Sequence, residues 1–159
     1  MNSEIATRPV LDAELATWRT SVGNRKVQHA AIDAEVLRRF AVAIGADPDV
    51  ERQVPALTHW AVFLDAMTND KIGTDGHPTR GDFLPAVHLP RRMFASAKLE
   101  FRNPLQVGKA ATCVSTVASV NHKRGQTGDL VFVNVLREIS QDSRVCVNEE
   151  QTIVYRAAH

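Results

Sequence analysis

The chain has 159 residues, which suits one domain with a hydrophobic core. Hydrophobic residues make up 44% and charged residues 23%, as in ordinary soluble globular proteins. The formal net charge of +1 gives no reason to expect wholesale binding to nucleic acid or to an acidic membrane. No apolar run approaches the ~20 residues that a membrane-spanning helix needs. The N-terminus is polar and lacks the basic and apolar regions of a signal peptide, so we expect a cytoplasmic protein.

The two cysteines, Cys113 and Cys146, are too few for a disulfide framework or a zinc cage. Both fall in strand-like stretches, so we interpret them as reduced thiols that serve as small core or surface residues. We expect no metal and no cofactor.

The first predicted helix has the sequence DAELATWRTSVGN and begins at Asp12, a plausible N-cap. Leu15 and Trp18 lie three positions apart and therefore share one face of this helix. A Gly-Asn pair ends it. The short stretch Lys26–His29 that follows is compatible with a strand.

The clearest helix signal lies in the stretch AIDAEVLRRFAVAIGADPD. Asp33 can cap the start of this helix, and Gly45, followed by a proline, can end it. An apolar stripe at helical spacing predicts that one face is buried. The stripe comprises Leu37, Phe40, Ala41 and Ile44.

Residues 54–67 are apolar with mixed periodicity, and the sequence does not distinguish a strand from a helix there. Residues 68–90 are rich in glycine and proline, which predicts a loop. Within this loop, Asp75–Pro78 reads DGHP. That tetrapeptide favours a turn because Gly76 permits a positive φ and Pro78 fixes the backbone that follows.

From residue 91 onward the hydrophobic period is two, which predicts long strands with one buried face. The first of these strands, RRMFASAKLEFR, has Arg92 on its predicted outer face. Its predicted inner residues are Met93, Ala95, Ala97, Leu99 and Phe101.

The later strands show a similar alternation, and turns are predicted at 103–109, 124–129 and 140–143. Their predicted inner residues are Val131, Val133, Val135, Ile139, Val145, Val147, Ile153 and Tyr155.

A long antiparallel sheet with one apolar face must be covered, and the amphipathic helix is the available cover. This combination predicts an α+β protein with a single hot-dog fold, in which a long antiparallel sheet wraps around one central helix. We expect one domain over residues 1–159, with a core from about 18 to 156.

Several short motifs, in their order and spacing, resemble the N-terminal hot-dog half of MaoC-like acyl-thioester hydratases and dehydratases. These include the mesaconyl-CoA and itaconyl-CoA hydratase type and the hydroxyacyl-thioester dehydratase type 2. The resemblance covers nearly the whole chain. The matching positions are His59-Trp60, Phe63, Asp75-Gly76-His77-Pro78, Leu89-Pro90-Arg91-Arg92-Met93, Phe101, Pro104-Leu105 and Val107-Gly108.

The resemblance implies an acyl-thioester substrate and a catalytic Asp and His a few residues apart, in a G-D-x-N-P-x-H-type motif of the C-terminal hot dog. The nearest string here runs from Gly81 to His88 and contains Asp82 but no asparagine. It also follows the main helix instead of preceding it. We interpret this likeness as chance and expect the usual catalytic pair to be absent from this chain.

Hydration of an enoyl thioester needs a base for water, an acid for the alpha carbon and a donor for the thioester carbonyl. The weak candidates for the acid and base are His29, Asp33, His59, Asp75 and His77. Each of them also has a structural explanation. Asp33 is an N-cap, His29 a surface residue and His59 a partly buried core histidine, while Asp75 and His77 belong to a turn.

A further set of residues is predicted to contact the substrate or coenzyme A. His59 and Trp60 can line an acyl pocket, and arginine pairs can hold coenzyme A phosphates, although exposed basic pairs often serve solubility alone. The predicted set is His59, Trp60, His77, Arg91, Arg92, Met93, Lys123 and Arg124.

Three functional hypotheses remain open. The chain can be a groove-forming subunit of an acyl-CoA hydratase or dehydratase, in a heterodimer with a catalytic hot dog. It can instead be a homodimeric hydratase or thioesterase with a rearranged set of His and Asp. The third hypothesis is a non-enzymatic acyl-CoA-binding hot dog. All three predict an acyl-CoA or acyl-carrier thioester as ligand, with no nucleic acid and no membrane as partner.

Overall fold

The structure, a computed structural model, describes residues 8–126 and 128–157. Within these residues the fold contains three short helices and five strands, and a 3-10 turn lies at Asn69–Lys71. In chain order the elements are α1 (Asp12–Arg19), β1 (Arg25–Ala31), α2 (Ala34–Ala43), α3 (Thr58–Val62), β2 (Arg91–Phe101), β3 (Ala110–Gly125), β4 (Gly128–Gln141) and β5 (Arg144–Arg156).

The five strands form one antiparallel sheet in the order β1-β3-β4-β5-β2. The predicted period of two is confirmed in β4, where Val131, Val133, Val135 and Ile139 are all buried. The turn between β4 and β5 uses Asp142, which takes a positive φ of 48°. Aspartate tolerates this left-handed backbone better than most residues, so a tight turn can form without glycine.

Both ends of α2 are formed as the sequence predicts. The carboxylate of Asp33 accepts hydrogen bonds from the backbone N–H groups of Glu35 (2.9 Å) and Val36 (3.0 Å). At the other end Gly45 has a φ of +71°, and the N–H of Ala46 donates to the carbonyl of Ala41 at 2.8 Å. This is the Schellman arrangement, in which glycine avoids the strain of a left-handed residue.

The apolar stripe of α2 is buried only in part. Leu37 and Ala41 are fully buried and belong to a core cluster that also contains Cys113, Ile139 and Cys146 from the sheet. Both cysteines are free, and of the two positions that the sequence allowed, core or surface, both take the core. The prediction for the end of the stripe was wrong. Ile44 is 52% exposed because it is the C-cap residue, with φ −96° and ψ 4°, and so leaves the helical repeat.

A second core cluster covers the other half of the same sheet face. Leu15 and Trp18 of α1 are buried there together with Val87 and Leu89 of the loop before β2. The predicted inner face of α1 is therefore confirmed, but Asp12 is not its N-cap. Leu11 occupies that position, and the carboxylate of Glu14 accepts its backbone N–H at 3.1 Å.

The predicted alternation of β2 was wrong in its first half. A β-bulge between Phe94 and Ser96 interrupts the register with β5, so the residues before the bulge do not continue the alternation of those after it. β2 is also an edge strand, so its side chains lack a neighbour on one side. Before the bulge, Met93 is 43% exposed, and the side chain of Arg92, predicted to point outward, is only 8% exposed; at the far end of this edge strand Phe101 is 55% exposed.

Residues 54–67, which the sequence left ambiguous, contain the short helix α3. The predicted loop at 68–90 is confirmed as mainly irregular, with one isolated bridge between Ile72 and Pro78. Among the described residues, no helix has both the length and the apolarity that crossing a membrane requires.

Candidate functional site

A groove of about 740 Å³ runs along the sheet face between the two core clusters. This volume is typical of small-molecule sites. Its walls come from β1, the segment after α3, the loop before β2, and the sheet itself. The apolar side chains that line it are Phe63, Met67, Phe83, Leu84, Met93, Phe94, Val135 and Ile153.

Cationic side chains outnumber acidic ones around the groove. Of these cations, Arg25 and Lys71 are exposed and have no ion-pair partner in the described part of the chain. Such side chains suit the phosphates of a coenzyme at the mouth of a groove. The charged lining residues are Arg25, Lys26, Lys71, Arg92, Arg137, Asp65 and Asp82.

A polar row crosses the groove floor from strand to strand. The register pairs Lys26 of β1 with Ser115 of β3, Ser115 with Arg137 of β4, and Arg137 with Glu149 of β5. Side chains paired in this way on one face lie about 5 Å apart at Cβ. The polar row separates the two apolar clusters.

Glu149 is the most heavily bonded member of the row, and its side chain is fully buried. Its carboxylate accepts hydrogen bonds from Trp60 Nε1 (2.7 Å), Gln151 Nε2 (2.9 Å) and Arg137 Nη1 (3.1 Å), and it lies 3.2 Å from His59 Nε2. Burial pushes the pKa of Glu149 upward. The contacts with His59, Gln151, Trp60 and Arg137 outweigh that effect, so the pKa lies below its ordinary value.

A second ionic cluster holds the loop before β2 against the sheet. Asp75 pairs with Arg92 Nη2 (3.0 Å) and with Arg80 Nη2 (3.2 Å). Arg80 also donates to the carbonyl oxygens of Val87 (2.7 Å) and Pro90 (2.8 Å). This cluster fixes the wall of the groove that residues 77–84 form.

The five acid-base candidates do not form a dyad in the described structure. His29 Nδ1 lies 3.0 Å from the hydroxyl of Thr112, and Asp33 is occupied as the N-cap of α2. Asp75 is paired with two arginines, and His59 is fully buried beside Glu149, deeper than expected. Only His77 lines the groove, and its ring has no hydrogen-bond or ion-pair partner among the described residues.

The other predicted contact residues divide into two groups. Met93 and Arg92 line the groove, whereas Lys123 and Arg124 lie at the β3–β4 hairpin, away from it. Arg92 is 8% exposed and committed to Asp75, so its guanidinium is not a freely exposed phosphate ligand.

Trp60 lies beneath the site rather than in its lining. It donates to Glu149 and packs edge-on against Phe94, with ring centroids 6.0 Å apart. Arg91 is exposed at the start of β2. The likeness of Asp82…His88 to a hydratase motif does not form a site, because the Nδ1 atom of His88 lies 3.3 Å from Glu14 and its ring packs on Trp18.

Sequence reasoning missed Arg137 and Glu149, although the signal was present. Arg137 has the same parity as Val135 and Ile139, and Glu149 the same parity as Val147. A charge at a core position of two neighbouring strands predicts a buried pair. Within residues 8–126 and 128–157, no group of three or more His, Cys, Asp or Glu side chains is placed to hold a metal.

A long antiparallel sheet whose apolar face packs on the helix α2 is the hot-dog arrangement that the sequence predicts. Solved hot-dog proteins share it at low sequence identity, which shows the fold. A chain of the ChsH1-ChsH2 complex from Mycobacterium tuberculosis superposes with a TM-score of 0.59 at 12% identity, covering 92% of each chain. The unliganded R-hydratase PhaJ1 from Pseudomonas aeruginosa superposes at 0.51 with 15% identity, covering 86% of this chain and 83% of that one.

The sequence comparisons identify the family. The chain belongs to the hydroxyacyl-thioester dehydratase type 2 family, whose model matches residues 57–159. The mesaconyl-C(4)-CoA hydratase of Chloroflexus aurantiacus is 40% identical over 148 residues, covering 89% of this chain and 51% of that protein. The chain therefore spans about half the length of this curated relative. The predicted resemblance to MaoC-like hydratases and dehydratases is confirmed.

Proposed function

We propose that this chain forms the acyl-thioester groove of a hydratase or dehydratase whose catalytic Asp and His lie on a second hot dog. The observation that carries the proposal is the groove itself, with its apolar walls and its unpaired cations at exposed positions. Apolar walls suit an acyl chain, and Arg25 and Lys71 suit coenzyme A phosphates. Membership of the hydroxyacyl-thioester dehydratase family supports an acyl thioester as the ligand.

The role of this chain in the reaction is to bind and orient the acyl thioester and to exclude water from it. Burying the acyl chain against Val135 and Ile153 fixes the thioester relative to acid and base groups brought by the second hot dog. The carboxylates of Asp33, Asp75 and Glu149 are already held by partners within this chain. Because these carboxylates already have partners, we infer that the catalytic acid and base come from the second hot dog.

The alternative is a self-sufficient homodimeric hydratase or thioesterase, and one observation favours it. The ring of His77 lines the groove with no partner in the described structure, so it can act as a base if a second copy supplies the acid. His77→Ala in the purified chain discriminates the two functions. Under the main proposal the purified chain does not hydrate crotonyl-CoA with or without the substitution, whereas the alternative predicts turnover that the substitution abolishes.

The main proposal is tested by acyl-CoA binding with a matched pair of variants. Met93→Glu places a carboxylate in the groove, whereas Leu136→Glu places one on the opposite face at a position that is similarly exposed. Isothermal titration of the chain with butyryl-CoA should show binding that Met93→Glu weakens at least about tenfold and Leu136→Glu leaves unchanged. Equal binding by all three proteins, or no binding to the unsubstituted chain, contradicts the proposal.

A further inference from the structure

The outer face of the sheet, which points away from the two core clusters, carries positive charge at one end. Near the β3–β4 hairpin, the register joins in one row Lys123 of β3, Leu130 of β4, Arg156 of β5 and Arg91 of β2. Residues paired in this way share a face of the sheet. Leu130 precedes the fully buried Val131, so this row lies on the outer face.

The opposite end of the outer face carries negative charge. Further along the same strands, the register joins Val114 of β3, Glu138 of β4, Asn148 of β5 and Glu100 of β2. Glu138 has the same parity as Leu130 and therefore lies on the same face. Glu150, which pairs with Leu136, adds a carboxylate one row nearer to the middle of the sheet.

The middle of the outer face is partly apolar and open. Leu136 is 48% exposed, and Phe132 has the ammonium group of Lys123 above its ring, 5.6 Å from the centroid. A shallow depression of about 600 Å³ lies beside Leu136. The residues that line it all belong to strands, so no helix or loop in the described part of the chain covers it.

Several charges on this face have no counter-ion within the protein. Lys123 and Arg156 of the basic row, and Glu138 of the acidic row, form no ion pair with any described residue. An open face with unpaired charges of opposite sign at its two ends is complementary to itself.

The geometry of β4 makes this complementarity specific. The two charged rows lie at equal distances on either side of Asn134. A second copy packed face to face with antiparallel strands, about a two-fold axis across β4 at Asn134, brings the basic row of one copy over the acidic row of the other. Phe132 of one copy then lies over Leu136 of the other. Parallel strands would instead place the two basic rows against each other.

The size of the face fits a weak interface that depends on charge. From Leu130 to Glu138 the face extends ~27 Å along the strands, and β3, β4, β5 and β2 together cover roughly 19 Å across them. Two such faces bury about 1,000 Å² in all, which is near the lower limit for a specific protein interface. Charge complementarity therefore has to supply much of the specificity.

We propose that the outer face of the sheet is an interface between two copies of this chain, packed with antiparallel strands. Glu138 of each copy then lies between Lys123 and Arg156 of the other. The groove opens on the opposite face of the sheet, so this interface is separate from contact with a catalytic hot dog. The inference does not rest on the proposed function.

The mass of the full chain in solution tests this interface. Sedimentation equilibrium in 0.1 M and 1 M NaCl, with Debye lengths of about 10 Å and 3 Å, should show an assembly whose mass halves at the higher salt concentration. Arg156→Glu and Glu138→Arg should each weaken the association at least about tenfold, because each places like charges together.

A charge swap and a matched control assign the association to these residues. The double variant Arg156→Glu with Glu138→Arg should associate more tightly than either single variant, which general loss of structure does not produce. Arg39→Glu reverses an exposed charge on α2, outside the sheet, and should leave the association unchanged.

Three results would overturn the inference. A chain that is monomeric in 0.1 M NaCl has no such interface. An assembly whose mass is the same at both salt concentrations and in all these variants uses another surface. If Arg156→Glu and Glu138→Arg impair association only with an added hot-dog protein of different sequence, that protein occupies the face instead of a second copy.

Discussion

Arg137 of β4 and Glu149 of β5 face each other across the sheet, joined by a hydrogen bond of 3.1 Å between Nη1 and Oε2. Glu149 is fully buried, and the pair lies between the two apolar clusters that build the core. The pair therefore influences both the stability of the sheet and the chemistry of the groove.

The first prediction concerns the stability of this pair. Arg137→Met leaves a buried carboxylate without its cation and should lower the free energy of unfolding by about 3–5 kcal/mol. Adding Glu149→Gln removes the unpaired charge, so the double variant should be more stable than Arg137→Met alone. Urea denaturation of the three proteins measures the difference. A double variant that is less stable than Arg137→Met would show that the two side chains do not compensate each other.

The second prediction concerns pH. Burial raises the pKa of Asp75, but hydrogen bonds from Arg92, the backbone of His77 and Arg80 outweigh burial, so its pKa lies below the ordinary 3.8. A carboxyl whose pKa is lowered by folding contributes stability above its unfolded pKa and loses it as the pH falls through its folded pKa. The free energy of unfolding should therefore decline from about pH 4 downward.

Asp75→Asn provides the control for this pH dependence. The substitution should cost about 1–3 kcal/mol near neutral pH, because two arginines lose a charged acceptor. It should also make the acid decline of unfolding free energy shallower, as measured by urea denaturation at a series of pH values. If the free energy of unfolding of Asp75→Asn falls with decreasing pH as steeply as that of the unsubstituted chain, Asp75 is not a source of the decline.

The third prediction concerns the hydroxyl of Tyr155. Tyr155 is fully buried, and Arg80 lies over its ring at 5.0 Å. Arg92 lies near its hydroxyl, but the hydroxyl makes no hydrogen bond of ordinary geometry with the described residues. Burying an unpaired hydroxyl is unfavourable, so Tyr155→Phe should be neutral or raise the melting temperature. Tyr155→Leu removes the ring under Arg80 and should be destabilising. Thermal denaturation distinguishes the two, and a marked loss with phenylalanine would mean that the hydroxyl is bonded.

The fourth prediction compares the two ends of the α2 stripe. Leu37→Ala removes a fully buried side chain and should cost about 2–5 kcal/mol. Ile44→Ala, at a position that is half exposed, should cost less than about 1 kcal/mol. Urea denaturation measures both. Similar losses at the two sites would contradict the burial that the structure assigns to them.

The features predicted correctly from the sequence are those that depend on local chemistry. Asp33 and Gly45 mark the ends of α2 because capping and positive φ are properties of individual residues. The inner face of β4 follows from its period of two, which one buried sheet face imposes on every strand. The resemblance to hot-dog hydratases depends on several such motifs in order, and the family match confirms it.

The features that were missed depend on contacts between distant parts of the chain. The bulge after Phe94 depends on pairing with β5, and the strand before it has the opposite orientation from the one expected. Arg92 is buried because Asp75, seventeen residues earlier, supplies its counter-ion. The importance of Arg137 appears only when the register brings it beside Glu149. Alternation within a single strand contains none of this information.

The hydration rate of crotonyl-CoA tests the central claim most directly, measured with the purified chain alone and after addition of a hot-dog protein that carries the G-D-x-N-P-x-H motif. We expect the chain alone and its partner alone each to hydrate crotonyl-CoA far more slowly than the mixture does. The Met93→Glu substitution should abolish the activity of the mixture. Full turnover by this chain alone, abolished by His77→Ala, would contradict a division of labour between two hot dogs.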